Sequence, residues 1–147
     1  MESKISIEIE CPIESVFRIT NEQVAEWSLI FVANNVLGEG QRGLGARFQT
    51  ITEDQGVRLV FDGVVTCYEP PFKCAVRLTG KMFDIETEYH FEEAFGKTRA
   101  TQMSQLRGKG FFQVYTFLFG WFMKRGWLGN ARKELESLKR FCEQKSG

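Results

Sequence analysis

Ile5, Ile7 and Ile9 alternate with Ser6, Glu8 and Glu10 near the start of the chain, the period-two pattern of a strand with one buried face. Pro12 is tolerated in a first helical turn, and after it the period changes. Ile13, Val16, Phe17 and Thr20 recur at helical spacing. Asn21 is placed to cap a second short helix carrying Val24 and Trp27. From Leu29 to Leu106 the pattern predicts six further strands, at 29–37, 45–53, 57–68, 72–79, 82–93 and 98–107. The connections are short and rich in Gly, Pro, Asp and Lys, which predicts antiparallel hairpins. Leu128, Ala131, Leu135, Leu138 and Cys142 then make one apolar stripe on a closing helix.

Charge sorts the faces of the later strands. In 82–93, Asp84, Glu86, Glu88, His90 and Glu92 share one face, and Phe83, Ile85, Thr87, Tyr89 and Phe91 share the other. Lys73 and Arg77 before it, and Lys97, Arg99 and Arg107 after it, have the parity to meet the acidic face. Cross-strand pairing of opposite charges on a solvent face favours this order. The apolar face needs a cover, and the closing helix is the element available. Phe83, Ile85, Tyr89 and Leu106 are therefore expected to be buried, and Arg77, Glu86, Glu88 and Arg99 exposed.

The stretch Phe111–Met123 breaks the pattern. It holds seven aromatics, and only Gln113, Thr116 and Gly120 interrupt its apolar character. A surface helix would show a single greasy stripe, whereas this segment is greasy on every side. It is shorter than the ~20 apolar residues that span a bilayer. A continuous helix from Phe111 to Glu143 would run ~50 Å, beyond the ~38 Å breadth of a compact domain of this size. A break is expected at Gly120, Gly126 or Gly129. The segment must meet the core on one side and a ligand, a second subunit or a membrane surface on the other.

Composition changes the picture by exclusion. A chain of 147 residues is most simply one domain, 1–147, with no repeat or linker. Nineteen Lys and Arg balance nineteen Asp and Glu, so no bulk charge points to nucleic acid. The opening MESKISIEIE has no apolar signal region, which suggests a cytoplasmic protein. Cys11, Cys67, Cys74 and Cys142 are scattered and read as buried or half-buried thiols rather than metal ligands.

The order strand, two short helices, six antiparallel strands and long helix resembles the helix-grip arrangement of the START-related (SRPBCC) superfamily. The landmarks are similar to its polyketide cyclase/dehydrase and lipid-transport branch: IEIECPIESVF at 7–17, AEW at 25–27, GLGARF at 43–48, YEPPFK at 68–73, YHFEEAFGKTRAT at 89–101 and LESLKRF at 135–141. The resemblance covers nearly the whole chain. It implies an α+β fold in which a curved antiparallel sheet of about seven strands wraps around a long C-terminal helix. It also implies an apolar small molecule held between sheet and helix. Some members are cyclases or dehydratases, and many bind or carry lipids, sterols or hormones, so the fold does not name the function.

The residues that could carry chemistry are few. His90, the single histidine, has outer-face parity between Glu88 and Glu92 and reads as a solvated strand residue rather than a base. GLGARF lacks the lysine and following helix of a phosphate loop and reads as a hairpin turn. Trp27 reads as packing for the second short helix. The inward face offers Thr50, Thr87, Tyr89, Gln102 and Ser104 among apolar neighbours, and buried polar groups need partners in the protein, from water or from a ligand.

These readings lead to a binding or carrier domain for a hydrophobic small molecule. The expected pocket is lined by Phe48, Phe61, Val76, Phe83, Ile85, Tyr89, Gln102 and Ser104 from the sheet and by Tyr115, Phe119 and Phe122 from the aromatic segment. No cofactor and no metal are implied. The rival is a cyclase or dehydratase using Tyr89, Gln102 or Tyr115 to orient a polyketide-like substrate, a task that needs little more than shape and exclusion of water. A third reading makes 111–127 a protein contact, with Phe117, Trp121 and Phe122 holding a homodimer. A membrane-surface contact, suggested by Lys124 and Arg125 between Trp121 and Trp127, is the weakest of the set.

Overall fold

Seven of the predicted elements are strands, and all seven join one antiparallel sheet. The computed structural model describes residues 2–29, 31–37, 43–54, 57–110 and 131–145. The strands are β1 (Glu2–Ile9), β2 (Phe31–Leu37), β3 (Arg47–Asp54), β4 (Val57–Glu69), β5 (Lys73–Thr79), β6 (Phe83–Ala94) and β7 (Lys97–Gly108). Their order is β1-β7-β6-β5-β4-β3-β2. Two helices, α1 (Ile13–Glu22) and α2 (Val24–Trp27), follow β1, and the chain closes on α3 at 131–145.

The hairpin β6–β7 turns on Phe95 and Gly96, both at positive φ, which matches the twist of the flanking strands. β1, the first strand, pairs with β7, the last, from Glu2↔Gln105 to Ile9↔Thr98. That pairing sets the sheet's inner parity on β1 as Ser3, Ile5, Ile7 and Ile9. Of these Ser3, Ile5 and Ile9 are buried and Ile7 is half-buried.

Among the described residues the largest core cluster sits at one end of the inner face, with Phe61, Leu78 and Leu106 buried farther along it. Ile5 and Ile9 from β1, Ile13, Val16 and Ile19 from α1, Trp27, Cys74, Phe91 and Ala100 pack with Ala131, Leu135, Leu138 and Cys142 of α3. Cys11 Sγ donates to Cys142 O at 3.0 Å, and Thr98 Oγ1 donates to Cys11 O at 2.8 Å, so polar atoms within this core find partners. Four of the five stripe positions read from sequence on the closing helix are thus buried against the sheet; Leu128 lies outside the described residues.

Three expectations need correction. Asn21 does not cap the second helix. It lies in the last turn of α1, where Nδ2 donates to Phe17 O at 2.8 Å and reaches Cys74 Sγ at 3.6 Å. Its amide is spent on its own helix and on the sheet, and α2 starts from Gln23 without a side-chain cap. Phe83, Ile85 and Tyr89 are half-buried rather than buried: among the described residues Tyr89 packs against the rim of the core cluster, and Phe83 and Ile85 stand beyond it. Glu88 is half-buried rather than exposed, because Lys73 at 3.0 Å and His90 at 3.1 Å close over it. Leu106 is buried, and Arg77, Glu86 and Arg99 are exposed, so the parity of the faces is as read.

Candidate functional site

Register turns the inner face into rows that cross the sheet. At the core end Ile7, Ala100 and Phe91 stand side by side. The next row is Ile5, Gln102, Tyr89 and Cys74, and the one after it is Ser3, Ser104, Thr87 and Val76. Then come Leu106, Ile85, Leu78, Gly63 and Phe48, and at the far end Phe83 and Phe61. From Tyr89 to Phe83 is six residues of strand, about 20 Å at ~3.4 Å per residue. The face thus runs from a packed core, through two rows bearing amide and hydroxyl groups, to an aromatic far end.

The polar rows are only partly satisfied. Gln102 Nε2 donates to Tyr89 Oη at 2.8 Å, and the hydroxyls of Thr87 and Ser104 are 3.2 Å apart. Gln102 Oε1 and Ser3 Oγ, on residues 7 % exposed, are buried with no partner among the described residues. Leaving a buried acceptor unpaired costs ~1–3 kcal/mol, so each orphan needs a reason. Gln102 and Ser104 were legible as inward polar residues; Ser3 was not singled out, although it shares the parity of Ile5.

Titration behaviour limits the chemistry available. Burial pushes the Tyr89 phenol well above its usual range, and the Glu134 carboxyl adds to the push. Burial likewise raises the Cys74 thiol to about 12. Both groups stay protonated at neutral pH, and the Tyr89 hydroxyl, which accepts from Gln102 Nε2, keeps its O–H to give. Glu134 itself, missed in the sequence because it flanks an apolar stripe, is buried on α3. It accepts from Ser28 Oγ at 2.6 Å and from Leu29 N at 2.5 Å, tying the end of α2 to α3. Ser137 Oγ, one turn on, donates to Trp27 O and strengthens the tie.

Of the candidate site residues, Phe61, Gln102 and Ser104 are buried on this face, and Phe48, Val76, Phe83, Ile85 and Tyr89 are half-buried on it. Tyr115, Phe119 and Phe122 lie outside the described residues. Phe48 lies over Gly63 and Phe61 over Gly80, so closely that a Cβ at either glycine would overlap the ring. A recess of about 270 Å³ opens at the far end between Phe61, Gly80, Met82 and Phe83. Lys109 braces that end, its Nζ reaching Asp84 Oδ1 at 2.8 Å and Gly80 O at 2.9 Å. A second, more open recess of about 690 Å³ is bordered by Glu2, Lys4, Arg77, Glu86 and Glu88. Arg77 pairs with Glu86 at 3.3 Å on its border, and this charged rim offers an apolar molecule little shelter. Among the described residues no group of His, Cys, Asp and Glu could hold a metal ion, and no helix is long and apolar enough to cross a membrane.

No family model and no curated protein matches the sequence. Solved structures do match. The protein TTHA0849 of Thermus thermophilus aligns over 100% of both chains with a TM-score of 0.82 at 13% identity. The ZhuI aromatase/cyclase of Streptomyces sp. R1128 aligns over 100% of this chain and 96% of its own, with a TM-score of 0.79 at 12% identity. Ara h 8.0201 aligns over 98% of each chain, with a TM-score of 0.67 at 10% identity. The chain has the helix-grip fold, as its resemblance to the START-related superfamily implied. At these identities the likeness concerns the backbone alone.

Proposed function

We propose that this domain binds or carries a hydrophobic small molecule between the inner face of its sheet and the C-terminal part of the chain. The observation that carries the reading is the pairing of orphaned polar atoms, Gln102 Oε1 and Ser3 Oγ, with half-buried apolar side chains on the same face. An apolar surface with a few convergent polar groups is the common anatomy of a small-molecule site. The sheet residues from Gln102 to Phe61 would form one wall, and Tyr115, Phe119 and Phe122 the other. The test is titration with the neutral dye Nile red. Saturable binding, lost on addition of an apolar competitor, is expected; a linear, non-saturating response contradicts the proposal.

A second reading makes the domain a cyclase or dehydratase acting on a polyketide-like chain. Likeness to a structure described as an aromatase/cyclase over nearly the whole length of both chains favours it. The chemistry of the inner face restricts the form it would take. With Tyr89 a donor and Cys74 inert, catalysis would rest on folding a flexible substrate and on hydrogen bonds to its carbonyl oxygens. Cyclised product formed from a linear poly-β-ketone faster than in buffer, and slower in Tyr89→Phe, would support the enzyme.

A further inference from the structure

The unpaired atoms of the inner face specify more than a greasy molecule. Gln102 is 7 % exposed, and its Nε2 is committed to Tyr89 Oη at 2.8 Å. The amide therefore presents Oε1, an acceptor with no donor among the described residues. Tyr89, accepting from Nε2, keeps its own O–H to give. One acceptor and one donor thus lie side by side on the inner face, where Tyr89 packs against the core cluster. A hydroxyl group, which gives one hydrogen bond and takes another, matches that pair. An ether matches only half of it. A carboxylate brings acceptors alone and would set a negative oxygen against Oε1, in a neighbourhood where Glu134 already disfavours negative charge on Tyr89.

We infer that the site takes a neutral apolar molecule bearing a hydroxyl group, which seats on Gln102 Oε1 and Tyr89 Oη, and that it turns away the corresponding carboxylate. This rests on the binding function proposed above and narrows its ligand class. The rest of the molecule would lie along the inner face past Val76 and Ile85 toward Phe83. Gln102 and Tyr89 are then specificity-determining residues, because a buried polar group discriminates against a ligand that leaves it unpaired far more strongly than an apolar wall discriminates by size.

The test is displacement of Nile red by three compounds of equal chain length: 1-dodecanol, 1-methoxydodecane and dodecanoate, at neutral pH. The alcohol is expected to displace the dye at about tenfold to a hundredfold lower concentration than the ether, the range that one unpaired buried acceptor implies. Dodecanoate should be the weakest. In Gln102→Leu the alcohol and the ether should converge while Nile red still binds. Tyr89→Phe removes the donor that alcohol and ether would share and keeps the acceptor, so both should weaken while the gap between them persists. A gap that vanishes in this variant also overturns the inference; this variant serves if Gln102→Leu does not fold. An ether or carboxylate as effective as the alcohol on the unaltered protein overturns the inference and leaves the binding function standing, as does a gap that survives Gln102→Leu. Absence of any saturable dye binding overturns both.

Discussion

Phe95 stands at φ 54° on the tip of the β6–β7 hairpin, wholly exposed. A bulky side chain in the left-handed region is strained by ~1–2 kcal/mol, and here no burial offsets it. Phe95→Asn, which tolerates that conformation, should stabilise the domain by about 1 kcal/mol and raise the melting temperature by about 2–4 °C for a chain of this size. An unchanged or lower midpoint would show that the ring makes a contact in solution that offsets the strain. Elsewhere single residues respond to pH. Burial opposes ionisation of Glu88, but hydrogen bonds from Lys73 and His90 prevail and hold its carboxyl below the ordinary 4.5. Glu143 is held down by Lys139 and by the Glu10 amide. A lowered carboxyl contributes stability above its ordinary value and loses it as pH falls through the folded value. The urea midpoint should therefore decline below about pH 4.5, and the double substitution Glu88→Gln with Glu143→Gln should flatten that decline. An equally steep acid limb in the variant would remove these two groups from the account.

At the scale of elements, the strands were legible because a half-buried strand writes its period into the chain. The segment predicted at 57–68 is Val57–Glu69, and that at 82–93 is Phe83–Ala94. The inward positions of Gln102 and Ser104 followed from the same alternation. What the alternation could not show depends on partners distant in the chain. Glu134 meets Leu29 from 105 residues away, and Asn21 turns to Cys74 across 53. Local pattern carries no trace of either contact, so a capping role for Asn21 looked natural and Glu134 was not singled out. The aromatic segment 111–127 is the element on which the proposals divide. We propose that Phe117, Trp121 and Phe122 hold a homodimer, since a run with seven aromatics in thirteen residues would favour association wherever it met solvent. Phe117→Ser with Trp121→Ser should then sediment as a monomer while the unaltered protein is a dimer. Intact assembly with loss of Nile red binding would instead assign these rings to the pocket. Retention of both, with loss of attachment to lipid vesicles, would assign them to a membrane surface.

For the molecule as a whole, the division of the inner face matters most. One end is a packed core in which Ile9, Ala100, Leu135 and Leu138 are fully buried. Beyond it the face mixes buried Phe61, Leu78 and Leu106 with half-buried Val76, Ile85 and Phe83, beside polar atoms that have no partner among the described residues. We propose that the core cluster where α1, α2 and α3 meet the sheet carries the stability and that the face beyond Gln102 serves a ligand. Native mass spectrometry of the protein purified from its own cells tests this division most directly. The account predicts a population heavier than the bare chain by the mass of one neutral apolar molecule per chain, released by organic solvent and absent or diminished in Gln102→Leu. A single species at the mass of the bare chain, from cells and again after incubation with 1-dodecanol, would contradict it.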